Sequence, residues 1–222
     1  MAAKPVLYYI TDRRAFPGTE TRRRLHLLLK IAEAARAGVN YIQLREKDMQ
    51  ARELELLARD AVKAIHDNST STKLLINSRT DFALVSGADG VHLRSHDLSP
   101  GDVRRIVRAC KSTEGETNRA ASPFLIAVSC HNAEDVSVAA NNGADFVVFA
   151  PVFEKKDSPT ACPAGLTSLA HTCRASIPVL ALGGITLRNA RACLDAGAAG
   201  IAAIRLFQEN EIGGLVRQLR AL

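Results

Sequence analysis

The sequence predicts a single TIM (β/α)8 barrel, an α/β fold built on a parallel eight-stranded sheet, and three observations predict it. Short apolar runs rich in β-formers alternate with amphipathic helical runs along all 222 residues. Several of these runs show no polar alternation, which suits strands buried on both faces of a parallel sheet. A glycine motif recurs before every second strand: Ala37-Gly38-Val39-Asn40-Tyr41, Gly87-Ala88-Asp89-Gly90-Val91, Gly143-Ala144-Asp145-Phe146-Val147 and Gly197-Ala198-Ala199-Gly200-Ile201. Each glycine supplies the left-handed cap that ends a helix and returns the chain to the sheet. A doubly wound open sheet is the alternative, but such regular alternation favours closure. No domain boundary is visible, so residues 1–222 read as one domain.

The elements follow in order. Strand 1, Val6–Thr11, is aromatic and β-branched, and helix 20–37 follows it. Strand 2, Tyr41–Leu44, leads to helix 51–68, and strand 3, Leu74–Asn77, to helix 79–86. Strand 4, Gly90–Leu93, precedes helix 100–110, whose Pro100 suits a first turn because its missing N–H costs nothing there. Strands Leu125–Ser129 and Phe146–Phe149 are followed by helices 133–142 and 166–174. Strands Val179–Leu182 and Ile201–Ile204 are followed by helices 187–196 and 211–221. Two connecting segments read as mobile: the polar, peripheral Ser112–Ser122, and Glu154–Ala164, which opens on the catalytic face.

Composition excludes several classes. Hydrophobic residues make up 47% of the chain, enough for a sizeable core. No apolar run approaches the roughly 18 residues that span a bilayer, so no membrane partner is expected. The run Val6–Ile10 meets Thr11-Asp12-Arg13-Arg14 at once and reads as a strand, not a signal peptide. The five cysteines (110, 130, 162, 173 and 193) form no CxxC pair. That pattern indicates reduced thiols and a cytoplasmic protein, not a disulfide framework or zinc site. The net charge of +6 includes Arg22-Arg23-Arg24, but the basic residues are spread over many helices and there is no Trp platform. They read as solvated helix faces plus a few cations for an anionic substrate, so no nucleic-acid partner is expected. A homodimer is compatible with the sequence.

In such a barrel, polar residues at strand C-termini are site residues, and the loops after strands 7 and 8 hold phosphate. Strand 7 ends in Leu182-Gly183-Gly184-Ile185, where glycine lets backbone N–H groups approach phosphate oxygens. Strand 1 ends in Thr11-Asp12-Arg13. Strand 2 ends in Gln43-Leu44-Arg45-Glu46-Lys47-Asp48, and alternation points Gln43, Arg45 and Lys47 the same way. One amide and two cations on one face suit a diphosphate or phosphate ester. The competing reading makes Arg45 and Glu46 a rim ion pair. His92 ends strand 4 as either a core histidine or a site residue. Asp97, in the next loop, is a candidate Mg2+ ligand. His131 with Ser129 offers proton transfer or phosphate binding, and Cys130 between them faces away as apolar filler. Cys162 has no demonstrable nucleophile partner.

With these residues assembled, the chain resembles the thiamine phosphate synthase family, including its thiazole tautomerase branch, from Tyr9 to Ile204. The motifs that carry the resemblance are Gln43-Leu44-Arg45-Glu46-Lys47-Asp48, Gly87-Ala88-Asp89-Gly90-Val91-His92-Leu93, Pro151-Val152-Phe153 and Ala181-Leu182-Gly183-Gly184-Ile185-Thr186. The resemblance implies an enzyme of thiamine biosynthesis. Such a transferase joins hydroxymethylpyrimidine diphosphate to a thiazole phosphate and releases pyrophosphate. It implies that Gln43, Arg45, Lys47 and Asn77 bind the pyrimidine diphosphate, that Ser129 contacts the diphosphate, and that Asp97 holds Mg2+. Gly183 and Gly184, with Ile204 and Arg205, would hold the thiazole phosphate.

The chain departs from the family pattern at three places. Asn-Asp becomes Asn77-Ser78, removing one Mg2+ carboxylate. Thr-x-Thr-Lys after Pro151-Val152-Phe153 becomes Glu154-Lys155-Lys156-Asp157-Ser158-Pro159-Thr160, and a strand 8 Ser becomes Arg205. Arg205, Lys155 or Lys156 would then neutralise phosphate charge. The tautomerase branch also lacks that Asp and uses a His at the position of His131 as its proton carrier, but it tends to lose the Gln-x-Arg-Glu-Lys pattern kept here. The retained ligands favour the synthase reaction, with Arg45, Lys47 and His131 as the candidate catalytic groups. The tautomerase and a non-catalytic phosphate-ligand binder on the same barrel are the alternatives.

Overall fold

A computed structural model describes residues 4–113, 123–154 and 162–222. Eight strands form a closed, all-parallel barrel in the order of the sequence: β1 (Val6–Ile10), β2 (Tyr41–Leu44), β3 (Lys73–Asn77), β4 (Gly90–Leu93), β5 (Leu125–Cys130), β6 (Phe146–Phe149), β7 (Val179–Ala181) and β8 (Gly200–Ala203). Closure is direct: β1 pairs with β8 through Val6↔Gly200 to Tyr9↔Ala203. The open-sheet alternative is therefore excluded. The helices around the barrel are α1 (Glu20–Arg36), α2 (Ala51–His66), α3 (Thr80–Ser86), α4 (Pro100–Thr113), α5 (Ala133–Asn141), α6 (Gly165–Thr172), α7 (Leu187–Asp195), α8 (Arg205–Gln208) and α9 (Ile212–Arg220). The segments expected to be mobile fall largely outside the described residues.

Alternation along each strand divides the core in two. One face of Tyr8, Ile10, Leu75, Ala127, Phe146, Val148, Leu180 and Ala202 fills the barrel interior. There Tyr41 stacks on Phe146 with centroids 4.7 Å apart, and Tyr8 meets both rings edge-on. Offset and edge-to-face rings of this kind make a rigid plug. The other face, including Leu7, Tyr9, Ile42, Leu74 and Val147, packs against the helices in the larger outer core. Leu27 and Ile31 of α1 and Leu57, Ala61 and Ile65 of α2 reach it at near-zero exposure. Each such Leu or Ile contributes about 2 kcal/mol by burial. The repeated glycines Gly38, Gly87, Gly143 and Gly197 all have positive φ, as their role at helix ends requires.

Two elements differ from the sequence expectation. Beyond β8 the chain does not run straight to the last helix. Ile204 leaves the strand and caps the short α8, so Arg205 begins a helical turn at the barrel mouth and is not a strand residue. A 3-10 turn over Arg13–Ala15 follows β1, capped by the Asp12 carboxylate, which accepts from the Arg14 amide at 3.1 Å. They are four and three residues long, too short for a repeating hydrophobic pattern to reveal them.

Candidate active site

The strand C-termini open into a cavity of about 630 Å3. Gln43, Arg45, Lys47, Asn77, Ser129, His131, Gly183, Gly184, Ile204 and Arg205 all line it, and so does His92. Lys155 and Lys156 lie outside the described residues.

The floor sits on the aromatic plug. Register places Asn77 beside His92, and Ile10 beside Gln43. Gln43 is 2% exposed, and its Nε2 donates to Asn77 Oδ1 at 2.9 Å. The Asn77 amide in turn donates to Ser78 Oγ at 3.1 Å. This chain fixes both amides and leaves Gln43 Oε1 as an acceptor. A side-chain amide of this kind complements an aminopyrimidine edge, which offers both a donor and an acceptor.

Beside the amides, the β2 exit is arranged by charge. Glu46 is not the partner of Arg45. It turns the other way, where Arg13 Nη1 donates to its Oε2 at 3.1 Å and the Arg13 amide reaches both carboxylate oxygens at 3.1 and 3.2 Å. The rim ion pair between Arg45 and Glu46 is thus corrected by the structure. Thr11, fully buried, donates through Oγ1 to Glu46 Oε1 at 2.6 Å and accepts from the Arg45 amide at 2.9 Å. Arg13 also forks onto Asp48 at 2.7 and 3.0 Å, and its Nε donates to Glu20 at 2.7 Å. The Arg13 hydrogen bonds hold Asp48 and Glu20 below the usual carboxylate range. Arg13, read from the sequence as one of the polar strand-end residues, is therefore a buried structural hub.

The Arg45 guanidinium makes no ion pair among the described residues. Burial lowers its pKa, opposed by the charges of Asp12 and Glu46. A half-buried guanidinium in a cavity wall is a receptor for an anion. Burial also decides the thiol: Cys130 is pushed up to about 12, which bears out its reading as filler.

Across the cavity, Gly183 and Gly184 have φ of +101° and +64°. A Cβ on Gly184 would lie 2.4 Å from the Glu154 carbonyl oxygen and 2.8 Å from Phe153 Cβ. Glycine is therefore required to pack this turn under the loop that follows β6, a reason additional to phosphate approach. The Phe153 amide donates to Gly183 O at 3.0 Å and ties the two loops together. The turn lines the cavity beside Ile204 and Arg205 of the β8–α8 connection. His131 holds its ring by Nδ1–H donation to the Ala150 carbonyl at 2.7 Å, which leaves Nε2 as the acceptor nitrogen.

Asp97 lies outside the cavity lining, engaged by Arg94. The Arg94 amide donates to Oδ2 at 2.7 Å and Nη2 to Oδ1 at 2.9 Å. Burial raises its pKa, but Arg94 and the Ser78 hydroxyl lower it further, so the net shift is downward and Asp97 stays ionised. Ser78 carries a positive φ of 60°, a conformation that suits Asn or Asp better than Ser. Among the described residues no group of three His, Cys, Asp or Glu side chains is placed to hold a metal. The donors fit Mg2+ in one form only: Asp97 as carboxylate and Ser78 as hydroxyl, with the remaining ligands from a bound diphosphate and water. Arg94 is one of the polar residues at the strand 4 exit, but the sequence does not show its pairing with Asp97. Its three-residue offset from Asp97 is the only signal there.

With this geometry in place, comparison with known proteins is informative. The family model described as thiamine monophosphate synthase matches residues 7–207. A protein of Aquifex aeolicus named putative thiamine-phosphate synthase 2 is 38% identical over 207 residues, covering 92% of this chain and 98% of its own. The thiamine-phosphate synthase of Coprothermobacter proteolyticus is 33% identical over 221 residues, covering 97% and 93%. Among solved structures, thiamine phosphate pyrophosphorylase from Pyrococcus furiosus superposes with a TM-score of 0.77 at 27% identity, covering 97% of this chain and 94% of that one. The chain belongs to the thiamine monophosphate synthase family.

Proposed function

We propose that this chain joins a hydroxymethylpyrimidine diphosphate to a thiazole phosphate with release of pyrophosphate. The observation that carries the reading is one cavity with two differently built ends. The Gln43–Asn77 amide chain and the Arg45 guanidinium form one end, and the Gly183-Gly184 turn forms the other.

The steps follow from these groups. The amides orient the pyrimidine ring, so that the methylene bearing the diphosphate faces the cavity. The carbon–oxygen bond to the diphosphate breaks, the electron pair leaves with pyrophosphate, and the pyrimidine keeps the positive charge. Arg45 and Lys47 stabilise the departing anion in a partly dry wall, where a fixed charge acts strongly. The thiazole phosphate is held at the Gly183-Gly184 turn and at Arg205, with its ring nitrogen toward the methylene carbon. That nitrogen's lone pair forms the new bond, and no base is needed. Holding both rings in one cavity converts a two-body encounter into an intramolecular one. Asp97 and Ser78 would hold Mg2+, which when bound neutralises diphosphate charge.

One observation favours a second reading, a thiazole tautomerase: the acceptor Nε2 of His131 at the cavity wall. A non-catalytic phosphate-ligand binder is the third. Incubation with both substrates, with and without Mg2+, followed by product identification, separates them. The synthase reading expects thiamine phosphate and pyrophosphate in equal amounts. Conversion of a thiazole carboxylate phosphate alone would support the tautomerase, and affinity without product the binder. The cysteines form no disulfide among the described residues, which supports a cytoplasmic site of action.

A further inference from the structure

Under the cavity floor a chain of three side chains crosses the barrel interior. Tyr8 Oη lies 2.9 Å from His92 Nδ1, and His92 Nε2 lies 2.8 Å from Ser129 Oγ. Tyr8 is fully buried and His92 is 2% exposed, while Ser129 reaches the cavity. A neutral imidazole has one donor nitrogen and one acceptor nitrogen.

Tyr8 decides which is which. Burial pushes its phenol well above its ordinary value, so the hydroxyl keeps its proton. A buried O–H needs an acceptor, and His92 Nδ1 is the hydrogen-bond partner that Tyr8 has among the described residues. Tyr8 must donate to Nδ1. The imidazole proton is then on Nε2 and is donated to Ser129 Oγ. With its oxygen already accepting, Ser129 keeps its own O–H for the cavity. The opposite tautomer would leave the Tyr8 proton without an acceptor and would turn the Ser129 proton toward His92, presenting lone pairs to the ligand.

We infer that Tyr8 and His92 are positioning residues that set Ser129 as a dedicated donor to an anionic oxygen. This rests on the diphosphate reading, because phosphate oxygens only accept. A hydroxyl whose proton was held by the floor would repel them, and the relay removes that possibility before the ligand arrives. Pre-set dipoles of this kind need no reorganisation when charge develops on the leaving group.

Two measurements test it. Nitrogen-15 NMR of the wild-type imidazoles should show His92 as the neutral Nε2–H form at pH 7. Calorimetry with inorganic pyrophosphate should show Ser129→Ala and His92→Phe each binding about tenfold more weakly, the scale of one hydrogen bond to a charged group. His92→Phe should cost nothing further in a Ser129→Ala background, because it acts through that hydroxyl. An Nδ1–H tautomer, or losses that add in the double variant, would overturn the inference. The NMR result stands even if His92→Phe does not fold. A wild type that binds no pyrophosphate would overturn the diphosphate reading itself, which the tautomer measurement does not touch.

Discussion

The Arg13 guanidinium lies 3.1 Å from Glu46 and so takes the carboxylate that adjoins Arg45 in the chain. Two cations 32 positions apart thereby acquire opposite roles. Arg13 is 5% exposed and holds the mouth of the barrel together, while Arg45 faces the cavity. Arg45→Ala and Lys47→Ala should each lower turnover by about a hundredfold with the melting temperature unchanged, as loss of one leaving-group contact predicts. Arg13→Ala should instead destabilise the fold by about 3 kcal/mol, because burial already pushes the Glu46 carboxyl up and the variant removes the guanidinium that opposes it. Chemical denaturation and steady-state rates on the three variants check this. A thermally weakened Arg45→Ala with normal turnover would return Arg45 to a structural role.

Much of this was legible in the sequence. The eight strands and the helix-ending glycines could be read because each rests on a local cause, such as a run of β-formers or one left-handed residue. Gln43, Arg45 and Lys47 could be placed together because strand alternation is local too. Arg13, Glu46 and Asp48 could not be sorted from Arg45. Their pairing spans 33 and 35 positions and depends on where β1 and the β2 exit meet in space. Short-range charge order on β2 favoured Arg45–Glu46, and tertiary geometry reversed it. The relay from Tyr8 was hidden for the same reason: its members stand 84 and 37 positions apart.

The buried His92 gives the fold an acid-sensitive component. In the unfolded chain it binds a proton near its ordinary 6.5, whereas in the barrel it stays neutral to about 3. Between those values the unfolded state holds more protons, so stability is full above 6.5 and falls as pH drops toward 3. Urea midpoints measured from pH 7 to pH 4 should decline more steeply for the wild type than for His92→Phe. Parallel declines would mean that His92 is protonated in the folded protein.

The turn at Gly184 links stability to ligand affinity. Gly184→Val adds a Cβ that meets the Glu154 carbonyl and forces φ of +64° on a β-branched residue. The variant should lose about 2 kcal/mol or more of stability. Its affinity for thiazole phosphate should fall further than its affinity for pyrophosphate, since the displaced loop borders the thiazole end. Calorimetry on folded protein at low temperature reads both affinities. Equal losses would count against a phosphate seat at this turn.

The last prediction concerns Ser78, Asp97 and Arg94. If Mg2+ is carried in with the diphosphate, its affinity is limited by a single carboxylate already paired with Arg94. Ser78→Asp adds a second carboxylate at a position whose positive φ accommodates Asp, so the backbone should not resist the change. Arg94→Ala frees Asp97 without touching the amide chain. Both variants should lower the Mg2+ concentration that gives half-maximal turnover, by several-fold each, because each improves the oxygen donor set. The synthase reaction needs no base at the cavity wall, so His131→Asn should retain most activity in all these backgrounds. A tautomerase would respond in the opposite way. The added charge of Ser78→Asp would oppose a phosphate ester, and His131→Asn would remove the nitrogen that carries the proton. Assaying the three variants on both substrate sets, across a Mg2+ titration, therefore sorts the two reactions by sign. Improved Mg2+ use with His131 dispensable sustains the synthase, and loss from both Ser78→Asp and His131→Asn replaces it with the tautomerase.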